Sequence, residues 1–149
     1  MATSVKVAAL QLQAKIGDLH ANLTACENMA NEAGEKGAKW IILPEFFTTG
    51  MAFQPRIVDA IQAPNGPALT LLLDLAKKHN AFVGGSFITK DEDGVVRNAF
   101  YLVSSEGIVH PTKKLSYRKL TDIRKIVVHH SLTRRGLAGS NAEAYFRYH

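Results

Sequence analysis

The residue best placed to do chemistry is Glu45. It follows the apolar run Trp40-Ile41-Ile42-Leu43 and Pro44, at the carboxyl end of a predicted strand, with Phe46 and Phe47 after it. In layered α/β folds, ligands sit in the crevice beyond the carboxyl ends of strands. A carboxylate held there among Trp40, Phe46 and Phe47 is partly withdrawn from water, the setting that suits a general base. Spacing alone leaves a second reading open, an acidic residue in an exposed loop. Other groups offer less. Cys26, the single cysteine, shares a predicted helix face with Leu23, Met29 and Ala33 and reads as a small hydrophobe. Lys113 and Lys114 read by themselves as surface lysines of a basic loop. His129 and His130 are neighbours, which rarely face one metal without further ligands, and no Cys/His cluster accompanies them. Gly84-Gly85 lacks the lysine–serine pattern of a phosphate loop. Ser104-Ser105 lacks the glycine-flanked nucleophile elbow. Asn98 reads as bonding locally or structurally rather than catalytically.

The elements that must position these groups follow from periodicity and punctuation. Val5 to Gln13 is a Val-, Leu- and Ala-rich run that suits a buried strand covered on both faces. Asp18 can cap a helix from Leu19 to about Gly37, where Gly34 and Gly37 supply an ending. Trp40 to Leu43 reads as a central strand that Pro44 stops, because proline cannot donate to a ladder. Phe46 to Gln62 is loop-like. Pro67 opens a helix that runs to about His79, with Lys77, Lys78 and His79 at its negative end. Ala81 to Ile88 is a strand whose Gly84-Gly85 pair marks a bulge or a close backbone approach. Asp91 to Gly94 is a hairpin turn, Val95 to Val103 the return strand, and Ser104 to Gly107 turns into Ile108-Val109-His110. Strands alternating with helices and then a meander predict an α/β layered fold with a mixed sheet.

Composition sets wider bounds. At 149 residues the chain suits one compact domain or part of a larger one. With 46% apolar and 21% charged residues it has the composition of a soluble globular protein. No apolar run approaches the length of a membrane span, and no signal peptide is evident at MATSVKVAAL. A lone cysteine forms no intrachain disulfide and fits a reducing, cytoplasmic setting. Residues 1–113 carry 10 Lys/Arg and 11 Asp/Glu, whereas residues 114–149 carry 8 and 2, so the basicity lies at the end of the chain. That tail reads as a solvated end rather than a nucleic-acid surface, because it holds no binding motif.

Five landmarks in order carry a resemblance. They are VKVAALQLQAKIGDLHANL, IILPEFFTTG, the helix after Asn65-Gly66-Pro67, the strand with Gly84-Gly85, and RNAFYLVSSEGIV with its lysine pair. Over roughly residues 4–115 this pattern resembles the N-terminal portion of the nitrilase superfamily of carbon–nitrogen hydrolases. The resemblance implies an incomplete αββα layered sandwich and a glutamate–lysine–cysteine triad with no metal or organic cofactor. It assigns Glu45 as general base and Lys114 of Thr112-Lys113-Lys114-Leu115 as the stabilising ammonium, with Lys113 the fallback. No cysteine follows Lys114, so the triad lacks its nucleophile. The chain is therefore read as a partial hydrolase domain over 1–115 and a divergent basic tail over 116–149, the product of truncation or a frameshift. The implied substrate is a small amide or nitrile, with little activity expected of this polypeptide alone. The alternative is a non-catalytic remnant that associates with a full-length homologue. Unpaired sheet edges further predict self-association.

Overall fold

The computed structural model describes residues 4–52 and 54–117, with the backbone alone at 110 and 112–117. In chain order the elements are β1 (Val7–Ala9), α1 (Leu19–Glu35), β2 (Trp40–Glu45), α2 (Arg56–Asp59), α3 (Pro67–His79), β3 (Phe82–Lys90), β4 (Val96–Ser104) and β5 (Gly107–Tyr117). The strands form one mixed sheet in the order β1-β2-β3-β4-β5. The pairs β1–β2 and β2–β3 are parallel, joined through α1 and α3; β3–β4–β5 is an antiparallel meander.

Local chemistry sets the helix ends. The Asp18 carboxylate accepts from the Ala21 amide at 3.0 Å and caps α1. Pro67 opens α3, where its missing N–H costs nothing. Gly66 offers no side chain as a cap, so the cap comes from a distance: Gln62 Oε1 accepts from the Ala68 amide at 3.0 Å. Asn80 closes α3 in the left-handed region, with φ 46°.

The core lies between the helices and one face of the sheet. Cys26, Ala30, Leu72, Leu75 and Ala76 meet Ile41, Leu43, Val83, Phe87, Ala99, Tyr101 and Val103. Phe47 packs edge-on to Phe87 at 5.7 Å between ring centroids, and Phe87 stacks on Tyr101 at 5.3 Å. The alternate residues, Trp40, Ile42, Phe82, Gly84, Phe100 and Leu102, form the opposite face. Trp40 and Phe82 are register partners there and stack at 4.5 Å. Apart from a small cluster of Phe46, Ile57 and Ile88 at its carboxyl end, these side chains are only partly buried.

Gly84-Gly85 is the close approach expected of it. A Cβ at Gly85 would lie 2.9 Å from the Phe47 ring and 3.1 Å from Leu43 Cβ, and one at Gly84 3.0 Å from Phe100. The two glycines thus let aromatic rings lie against the sheet from both sides.

Three expectations need correction. First, the strand at the N-terminus is short and, among the described residues, lies at the sheet's edge rather than buried under cover on both faces: Val5 is 56% and Val7 62% exposed. It has β2 on one side, and no described element packs over Val7. Second, β2 does not stop at Pro44 but runs on to Glu45. The ladder absorbs the proline through a shift of register between Ile42 and Glu45. Third, the last strand is much longer than Ile108-Val109-His110, reaching Tyr117 and so crossing Leu115. Two irregularities in its pairing with β4 explain why simple alternation missed it.

Replacing Gly85 with valine should therefore destabilise the chain by about 1–3 kcal/mol through overpacking against Phe47. A urea melt checks this, and a midpoint equal to that of the parent would contradict the packing described.

Candidate active site

Glu45 owes its position to an extra residue in β2. Ile42 pairs with Gly84, yet Glu45 pairs with Ser86, so three steps along β2 match two along β3. Without that bulge, alternation from Ile42 would turn Glu45 toward the helices, into the apolar core. With it, Glu45 joins Ser86 on the opposite face, half-buried.

The turn beyond Glu45 is held tightly. Phe46 sits at φ 55°, a region that costs a non-glycine residue about 1–3 kcal/mol. Its carbonyl accepts from the amides of Thr49 and Gly50 at 3.1 and 2.8 Å, and its ring is buried against Ile57 and Ile88. Asn22, 1% exposed, ties this turn to the loop before α1. Its Nδ2 donates to the carbonyls of Thr48 and Lys15 at 2.9 and 2.8 Å, and its Oδ1 accepts from the Lys15 amide at 2.7 Å. Asn22 therefore positions Glu45 from a distance.

Asn98 Nδ2 donates to Glu45 Oε1 at 2.7 Å. A hydrogen bond to a charged group contributes about 1.5–3 kcal/mol. The expectation for Asn98 is a local or structural bond; the bond it makes is not local but reaches across from β4 to the candidate base. A sequence signal existed. Asn98 is the polar member of an alternating row, Asn98-Phe100-Leu102, on the face opposite the core. Its neighbour Arg97 fixes the hairpin by clasping Asp91 at 2.5 Å and Asp93 at 2.9 Å. The hydrogen bond to Asp93, followed by the nearby Asp91 charge, raises the Arg97 guanidinium above its ordinary value.

On β5, Lys114 is the register partner of Asn98, and Lys113 is that of Ala99. Asn98 lies in the row that reaches Glu45, whereas Ala99 faces the helices in the core. Arg97 pairs with Ser116, so Leu115 is an extra residue beside Lys114. Bulges of this kind re-aim side chains and are common beside active sites. Both candidate residues thus stand next to one.

Cys26 is apart from this row. It is 1% exposed within the core on the helix side, and burial pushes its thiol up to about 12. A thiol so protonated and enclosed is a poor nucleophile. Among the described residues no group of three His, Cys, Asp or Glu could hold a metal ion. His129 and His130 lie outside the described residues. A groove of about 610 Å³ runs between α1 and α3, lined by Glu27, Asn31, Gly66, Thr70 and Asp74 among others, but Glu45 and Asn98 do not line it. No helix among the described residues is long and apolar enough to cross a membrane.

Comparison with known proteins bears on this arrangement. The family model described as carbon-nitrogen hydrolase matches residues 6–142, a stretch that runs past Leu115 into the basic segment. A nitrilase of Pyrococcus abyssi is 31% identical over 114 residues, covering 74% of this chain and 43% of that protein. The nitrilase and fragile histidine triad fusion protein of Caenorhabditis elegans is 28% identical, over 80% of this chain and 27% of its own length. Among solved structures, an N-terminal amidase superposes with a TM-score of 0.63 at 20% identity, over 80% of this chain and 29% of that one. A mutant of the amidase from Nesterenkonia sp. AN1, which shows Michael addition of acrylamide at its active site cysteine, gives 0.59 at 17% identity, over 75% and 44%. These likenesses establish the open mixed sheet with flanking helices as a nitrilase-like fold. The chain spans less than half the length of each of these relatives.

The Cys26 thiol makes a pH test. Its folded value lies above the ordinary 9.0. Between about 9 and 12 the folded chain therefore holds a proton that the unfolded chain loses, and stability must fall as pH rises through that window. The expected outcome is that the parent loses more stability than a Cys26→Ala variant between pH 8 and 11. Parallel curves from denaturant melts would contradict it.

Proposed function

The chain belongs to the carbon–nitrogen hydrolase family, and from that premise we propose that it carries the base and ammonium half of a site that hydrolyses a non-peptide C–N bond in a small amide or nitrile. The observation that carries this reading is the row Glu45–Asn98–Lys114, which runs across β2, β4 and β5 at the end of the face opposite the core. Glu45 is the general base and takes the proton of a cysteine thiol. The thiolate attacks the substrate carbon. The Lys114 ammonium stabilises the negative charge that develops at the attacked oxygen or nitrogen. From an amide, Glu45 returns that proton to the leaving nitrogen, ammonia or an amine departs as the thioester forms, and water resolves the thioester with Glu45 again accepting a proton.

The thiol for this sequence of steps is not Cys26, which is enclosed on the helix side. An active site cysteine is what the acrylamide adduct of the Nesterenkonia amidase displays. We propose that the 149-residue polypeptide has little or no hydrolase activity alone, because removing one member of a catalytic unit commonly costs as much as removing the whole. A single cysteine suits a cytoplasmic setting, and the basic segment over 116–149 suits a solvated tail.

A second reading has its own observation, the half-buried apolar face of Trp40, Ile42, Phe82, Phe100 and Leu102. A face of that kind favours association. On this reading the chain pairs with another copy or with a full-length homologue.

A hybrid tests the first reading. Joining residues 1–117 to the remainder of the Pyrococcus abyssi nitrilase should restore release of ammonia from an amide or nitrile, while the 149-residue chain releases none. Within the hybrid, Glu45→Gln and Lys114→Met should each lower kcat by on the order of 10³-fold or more. A folded hybrid whose rate survives either change would overturn the assignment. Size-exclusion chromatography with light scattering tests the second. The expected mass exceeds the 16.3 kDa of one chain, and a monodisperse monomer with a cooperative melt would contradict it.

A further inference from the structure

The groove between α1 and α3 lies on the helix side of the sheet, apart from Glu45 and Asn98. Its floor is apolar: Leu75 is buried, and Leu23 and Leu71 are partly buried against the core. Its walls carry Glu27 on α1 and Asp74 on α3, both exposed. The two helices run the same way, since each joins parallel neighbours. They touch where Lys78 Nζ donates to Asn31 Oδ1 at 2.8 Å. Glu27 stands four residues before Asn31, and Asp74 four before Lys78, so each lies one turn back on the same helix face. The two carboxylates therefore oppose each other across the groove. Among the described residues neither has an ion pair. Facing like charges above an apolar floor favour an occupant that is both basic and apolar.

The chain itself supplies a segment of that chemistry. Residues 118–149 carry 7 Lys/Arg and 2 Asp/Glu. They lie outside the described residues, but the point at which the chain enters them is fixed. Tyr117 pairs with Val96 and Val96 with Lys90, whose amide donates to the Gln62 carbonyl at 2.8 Å. Gln62 holds the first turn of α3 through Ala68. β5 thus ends at the same end of the sheet as the mouth of the groove at Gly66. From Tyr117 the way to the carboxylates crosses the strands, rises one helix layer and descends about two helical turns, a separation on the order of 20–25 Å. At about 3.3 Å per extended residue, seven or eight residues cover it. The seventh and eighth beyond Tyr117 are the basic pair Arg124-Lys125, with Ile123 and Ile126 on either side.

We propose that the groove between α1 and α3 is the docking site of the same chain's basic segment, residues 118–149, which enters it at Gly66 and reaches the level of Glu27 and Asp74 near Arg124-Lys125. Composition alone suits a solvated tail; the groove gives that segment a seat of opposite charge within its reach. Docking there leaves the opposite face of the sheet, with Glu45 and Asn98, uncovered. The proposal is independent of the catalytic reading of Glu45 and Lys114 and stands or falls without it.

Zero-length cross-linking of the folded 149-residue chain tests this, with a water-soluble carbodiimide that joins carboxylates to lysines in contact and the products read by peptide mass spectrometry. Unlabelled and nitrogen-15-labelled chains are mixed in denaturant and refolded together, so that links within a chain and between chains differ in mass. The Lys36–Glu32 pair, in contact on α1, shows that the reagent has worked. Glu92 is the proximity control: it is exposed in the hairpin turn beside the end of β5, where a solvated segment would meet it first. Lys125 should link to Glu27 or Asp74 at least fivefold more than to Glu92 or Glu45, in pairs of a single isotope. A smaller preference for the groove, or a preference for Glu92, would mean a solvated segment and overturn the proposal. Links from Lys125 mainly to Glu45 would place the segment on the opposite face, and pairs of mixed isotope would place it in the groove of another copy; either overturns it. So does the absence of any Lys125 link where Lys36–Glu32 has formed.

Discussion

Proline at position 44 cannot donate to a sheet ladder, and the consequences of that single missing N–H run through the site. β2 lies between β1 and β3, with its ladder to β1 ending at Ile42 and its ladder to β3 resuming at Glu45. The chain meets the gap by slipping one residue, and the slip turns Glu45 from the apolar side of the sheet to the opposite one. A carboxylate beneath α1 and α3 would have been buried without partners, at a cost of several kcal/mol. On the other face it meets Asn98, half shielded by the protein and half open. The turn that follows is correspondingly constrained. Phe46 adopts a conformation that side chains resist, and Asn22 and the Phe46–Ile57–Ile88 cluster hold it there.

Much of this frame was legible in the residues. The cap at Asp18, the start of α3 at Pro67 and the hairpin at Asp91 to Gly94 follow from local chemistry that acts within a few positions. Gly84-Gly85 announced a close approach because the lack of side chains in a buried strand demands a reason. What was hidden is what depends on register. Alternation predicts faces only while the ladder is regular, and irregularities fall beside both Glu45 and Lys114. The proline that looked like a strand end was a bulge within the strand. The partnership of Asn98 with Glu45 spans 53 positions and two strand crossings, which no local pattern reports.

The separation of the two faces also gives the cysteine its meaning. Cys26 fills space between α1 and the sheet, and its surroundings hold it protonated. Reactivity needs the reverse, an electropositive and partly open setting. The helix side of the sheet is thus devoted to packing, whereas the polar row crosses the other side, level with half-buried aromatic and aliphatic groups. On the proposed reading chemistry and association share one surface, and whatever covers Trp40, Phe82 and Phe100 would also change the water content around Glu45. Withdrawal of water strengthens the electrostatic interactions on which a base and an ammonium depend.

The most direct measurement is a set of nuclear Overhauser contacts from the Asn98 side chain in isotopically labelled protein. If the bulged register brings the candidate groups together, the Asn98 amide protons will show contacts to the Glu45 side chain, and Asn98 will show cross-strand contacts to Lys114. Contacts from Glu45 to Phe87 and Tyr101 instead would place the carboxylate on the helix side, contradicting the bulge and with it the site.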